Sequence, residues 1–125
     1  MERATFDDLI AAKLQKEQKR GETRDIDVPS MGRTLTFERP SDSRVIGYLD
    51  GIKDTSGTSD VYEAMIRMIY DACPMFRDAA LRERLGVVEP TDAVRMTLTV
   101  SDVFAVGEEL MKFLGIGELE TEIKN

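Results

Sequence analysis

The spacing of apolar positions changes period along this chain, and each change marks a new element. Between residues 5 and 20, Phe6, Leu9, Ile10 and Leu14, with the stem of Lys13, recur at helical spacing. Thr5 followed three residues later by Asp8 predicts a capped start. The stripe fades after Leu14, and QKEQKRGET is polar up to Gly21, which predicts a frayed end or linker. This segment reads as an arm that orders on a partner. From Thr23 the period shortens to two: Ile26 and Val28 alternate with polar residues, Pro29 to Gly32 supply turn chemistry, and Leu35 and Phe37 alternate with Thr34 and Thr36. That is a β-hairpin, closed by Pro40, which cannot donate to a ladder.

Helical spacing returns at Ser41, where Val45, Ile46, Leu49 and Ile52 are expected on one face before the turn formers of KDTSGTS. A further helix is expected from Ser59 or Asp60 to about Cys73, with Asp60 and Glu63 spaced as a capping box. Its two adjoining stripes are Val61, Met65, Met68, Ala72 and Tyr62, Ile66, Ile69, Cys73. So wide an apolar arc predicts the central helix, enclosed by others. Two short helices follow. Leu81 and Leu85 belong to the first, with Gly86 as its stop, and Pro90 is expected in the first turn of the second, TDAVRMTL. The last helix begins at Thr99 or Ser101 and carries Val103, Phe104, Val106, Leu110, Met111, Phe113 and Leu114 to a stop at Gly115. The expected fold is mainly α, a compact bundle of about five to six helices with a small N-terminal hairpin. Residues 1–24 read as an N-terminal helix or arm, 25–117 as a helical core domain with the hairpin at 25–39, and 118–125 as a loose acidic tail.

Charge and residue inventory narrow the function. Lys and Arg number 17 against 24 Asp and Glu, a formal charge of −7, so the field of the chain repels phosphate backbones and argues against nucleic acid. The one basic stretch, Lys13, Lys16, Lys19, Arg20 and Arg24, is interleaved with Glu17 and Glu22 and reads as a solvated helix face. No apolar run approaches the roughly 20 residues of a membrane span, and acids at Glu2, Asp7 and Asp8 are wrong for a secretory signal, so a cytoplasmic protein is expected. The chain has no histidine, which removes imidazole triads and imidazole metal centres, and its lone Cys73 reads as a buried structural thiol. Asp7–Asp8 and Glu108–Glu109 are consecutive and diverge on a helix, so neither converges on a substrate. DGIKDTSGTSD, with Asp50, Asp54 and Asp60, lacks the alternation of a calcium loop. No catalytic, cofactor-binding or metal-binding residue is expected, and the partner-binding residues stay undefined. Seven methionines suit an adaptable surface. Met65 and Met68 are expected in the core, while Met31 and Met111 are candidates for exposure.

The hairpin TRDIDVPS…RTLTFERPS, the segment YEAMIRMIYDACPMFRDAALRERLGVVEPTDAVRMTL and the end TVSDVFAVGEELMKFLG together resemble the bacteriophage tail assembly chaperones, specifically the XkdN-like group, over roughly residues 22–117. The resemblance implies a protein of the host bacterial cytoplasm, absent from the mature virion. Such a protein coats the tape measure protein, keeps it soluble and helps recruit tail tube protein subunits, without catalytic residues or cofactors. It further implies a longer frameshifted product. As a hypothesis, Ile123-Lys124-Asn125 is compatible with an A-rich slippery heptamer, and codons lacking one remove the idea. Two rival readings are a small helical regulatory adaptor for another protein, and a carboxylate-and-arginine enzyme using Asp50, Asp54 or Arg67 in a cleft. Homo-oligomerisation through the apolar last helix is a further expectation, although a monomeric core can absorb the same residues.

Overall fold

The computed structural model describes residues 2–52 and 57–116. Among these, helix α1 spans Phe6–Lys19, strands β1 and β2 span Thr23–Val28 and Arg33–Glu38, and α2 spans Asp42–Gly51. Helix α3 spans Thr58–Ala72 and leads through a 3₁₀ turn, Pro74–Arg77, into α4 (Ala79–Leu85), α5 (Asp92–Thr97) and α6 (Val100–Leu114). The protein is mainly α, with one small hairpin near its N-terminus.

The hairpin pairs Thr23 with Glu38 through to Val28 with Arg33, antiparallel. Its turn closes by the N–H groups of Met31 and Gly32 donating to the Val28 carbonyl, and Gly32 takes the positive φ of 61° that other residues resist. Period-two patterning sends Ile26, Val28, Leu35 and Phe37 to one side, where they are buried. That apolar side packs β1 on α6 and β2 on α3. Thr23 and Arg24 belong to β1, so the hairpin starts two residues before position 25.

Helix α3 is central, with α2, α5, α6 and the hairpin around it. Ala64, Met65, Ile66, Met68, Ile69 and Ala72 are buried on it, which is the wide apolar arc its sequence predicts. Its start differs from expectation. The cap is Gly57 and Asp60 is the third helical residue, so the Asp60–Glu63 box does not form and Glu63 instead pairs with Arg95 of α5. On α2, Tyr48 is the buried residue, with Val45 and Leu49 half-buried, whereas Ile46 faces solvent. Val45, Tyr48, Leu49 and Ile52 form the i, i+3, i+4, i+7 set, and Ile46 lies about 100° away from Val45. Pro90 stands one residue before the α5 cap, Thr91, rather than in the first turn.

Helix α6 begins at a complete capping box: Thr99 accepts from the Asp102 N–H at 3.0 Å and donates its own N–H to the Asp102 carboxylate at 3.1 Å. It ends at Gly115 in the left-handed conformation. Midway, Gly107 meets Met65; a Cβ there would lie 2.7 Å from the Met65 sulfur. The missing side chain is what lets α6 close on α3.

Candidate binding surface

Helix α1 combines a well-made local structure with no buried residue. Thr5 and Asp8 form the expected reciprocal cap, at 2.8 and 3.2 Å. Good helix formers and the Lys13–Glu17 pair carry the helix to Lys19, so the polar half is helical rather than frayed. No residue of α1 is buried. Phe6, Leu9, Ile10 and Leu14 are 86%, 63%, 57% and 53% exposed. An isolated helix of this length is marginal in water, and the ion pair that ties it to the body, Lys16 with Asp42 at 3.1 Å, is exposed and worth little. The stripe therefore presents about four large apolar side chains to solvent at the spacing that fills a partner's groove. Arg24 belongs elsewhere: its guanidinium stacks on Phe113 at 5.5 Å, with Arg39 over the same ring at 4.4 Å.

A second concave feature lies between α2, α3 and the segment before α5. It encloses about 510 Å³ and is lined by Arg44, Gly47, Tyr48, Arg67, Tyr70 and Asp71 among others. The Tyr48 hydroxyl donates to Asp71, whose carboxylate also accepts from Arg44 at 2.9 Å. Burial, reinforced by the Asp71 hydrogen bond, pushes the Tyr48 phenol far above its ordinary range, so it stays neutral. Arg67 lines the same concavity as Tyr48 and Asp71. Asp50 is exposed at the end of α2 and outside this lining, and Asp54 lies outside the described residues. The Tyr48–Asp71–Arg44 cluster went unpredicted, although Tyr48 at i+3 from Val45 was readable as part of the α2 face.

The remaining polar and sulfur-bearing candidates resolve into structural roles. Asp102 is the buried carboxylate of α6, and besides capping Thr99 it accepts from the Ser30 N–H at 3.1 Å and from the Ser30 hydroxyl. It therefore latches the hairpin turn to the last helix. The Thr99–Asp102 spacing signals the cap, but nothing local signals Ser30, 72 residues away. Cys73 is buried, and burial raises its thiol above the usual range. Met65 and Met68 are in the core and Met31 is half exposed, as expected; Met111, expected as a candidate for exposure, is buried because it lies one turn after Gly107, on the α6 face that meets α3. Met75 and Met96 are exposed instead. Val103, Val106, Leu110 and Phe113 are absorbed by the monomer's own core. On α6 the exposed large apolar side chain is Val100, whereas α1 exposes Phe6, Leu9, Ile10 and Leu14.

Among the described residues no helix is long and apolar enough to cross a membrane, and no three His, Cys, Asp or Glu side chains are grouped to hold a metal ion. The fold and surface define a small mainly α protein whose N-terminal helix carries an exposed apolar stripe. No family model, curated protein or solved structure matches the chain.

Proposed function

We propose that this protein is a binding protein of the phage tail assembly chaperone kind, which covers apolar helical stripes of the tape measure protein and helps bring tail tube subunits to it. The observation that carries the binding role is α1, whose Phe6, Leu9, Ile10 and Leu14 are exposed on a helix with no buried residue. The nature of the client rests on the resemblance of residues 22–117. Burying four such side chains releases on the order of 6–12 kcal/mol gross, against an association cost of about 4–15 kcal/mol. A single contact is then weak, and firm coating requires many copies along one long client, where avidity accumulates. The charge of −7 keeps such a coated assembly dispersed.

Binding is favoured over a carboxylate enzyme because Asp50 is outside the cleft and the Asp71 carboxylate is engaged by Tyr48 and Arg44. The deciding experiment is co-expression with a candidate tape measure protein. Soluble tape measure protein should rise several-fold and co-elute with the wild type, and Leu9→Ser/Ile10→Ser should abolish both effects. An insoluble tape measure protein with both forms overturns the proposal. Specific recovery of a polymerase subunit or repressor would replace it with the regulatory adaptor reading.

A further inference from the structure

We infer that the occupant of the α1 stripe before a client arrives is the α1 stripe of a second copy, paired antiparallel about Ile10. The inference rests on reading α1 as a docking face and adds how that face is kept covered. The first observation is self-complementarity. A two-fold axis at Ile10 sets Phe6 level with Leu14 of the other copy and Leu14 level with Phe6, so one patch closes on itself, as an isologous interface requires. The four apolar residues that α1 leaves exposed are then covered together.

Charge selects the orientation. The first turn of α1 carries Asp7 and Asp8 and its last turn Lys16 and Lys19, with Lys13 between. Parallel pairing would run Lys13, Lys16 and Lys19 alongside their own copies, like charge against like. Antiparallel pairing about Ile10 separates the lysines from their own copies, sets Asp7 at the level of Lys13, and opposes the two helix dipoles.

Size sets the strength. A 14-residue helix is about 21 Å long, so two of them bury well under the roughly 1,600 Å² of a standard stable interface. The pair is weak and exchangeable. A helical client with a longer stripe displaces the second copy without having to melt any part of the body, because α1 contributes nothing to the core.

Sedimentation of the purified full chain and cysteine crosslinking test this together. The wild type should move from 14.1 kDa toward twice that mass as concentration rises from about 10 µM to about 1 mM, and Leu9→Ser/Ile10→Ser should stay monomeric with an unchanged far-UV signature of the body. Cys73 is buried and supplies a silent background. Under mild oxidation Ile10→Cys should dimerise with itself. A mixture of Phe6→Cys and Leu14→Cys should crosslink to each other at least about tenfold more than either does to itself. Self-crosslinking of Phe6→Cys as the dominant product overturns the antiparallel arrangement. A wild type monomeric throughout that still forms the tape measure complex overturns self-pairing and leaves the docking role standing. A dimer with no client complex supports the pairing and removes the proposed function instead.

Discussion

Asp102 accepts hydrogen bonds from Ser30 and from the Thr99 N–H, and these, the Ser30 hydroxyl first, hold its carboxyl below the usual carboxylate range. The fold therefore favours the charged form. Its contribution is complete above the ordinary value of about 4 and is lost as pH falls below it. Urea midpoints measured from pH 7 down to pH 2 should decline below about pH 4 in the wild type and decline less steeply in Asp102→Asn, which starts from a lower value at pH 7. Tyr48 has the opposite sign: its raised phenol stabilises the fold up to about pH 10 and loses that contribution as pH rises further. Cys73 gives a kinetic check on the same core. Fully buried, it should react with a thiol reagent at least about 1,000-fold more slowly in buffer than in denaturant, since reaction waits on opening of several kcal/mol.

At the level of elements, the close approach of α6 to α3 depends on Gly107. An alanine methyl there would meet the Met65 side chain at 2.7–3.2 Å, so Gly107→Ala should destabilise by about 1–2 kcal/mol despite better helix propensity. In a Met65→Ala background the two contacts under 3 Å disappear and the 3.2 Å contact with the Cβ remains, so the same substitution should become close to neutral; equal effects in both backgrounds would show that the two residues are uncoupled. Much of this layer was legible in the chain. Hairpin alternation, the wide arc of α3, the Thr5–Asp8 cap and the Gly86 and Gly115 stops are local signals, and local signals survive folding. What escaped depends on distant partners. Spacing predicts Ile46 inward because it does not fix where a ten-residue helix centres its buried face, and Tyr48 decides that by reaching Asp71 on α3. Ser30 has no motif at all; only the return of α6 under the hairpin turn defines its role. Met111 was ambiguous for the same reason.

At the scale of the whole molecule, the buried core belongs to β1 through α6 and α1 adds no residue to it. Since α1 buries no residue, a chain lacking residues 1–20 should keep its unfolding free energy within about 0.5 kcal/mol, measured by urea denaturation, while losing client solubilisation. A loss of 2 kcal/mol or more would show that α1 supports the body. The body closes by joining its ends: β1, near residue 26, lies on α6, and Ser30 is held by Asp102. During synthesis at about 5–20 residues per second, the hairpin and α3 leave the ribosome on the order of seconds before α6 exists to cover them. Ile26, Val28, Met65 and Ile69 are then bare together on an unfinished chain. The nascent protein thus passes through the same aggregation hazard that the finished one is proposed to relieve in its client, and ribosomes stalled before codon 100 should yield chains that depend on holdase chaperones.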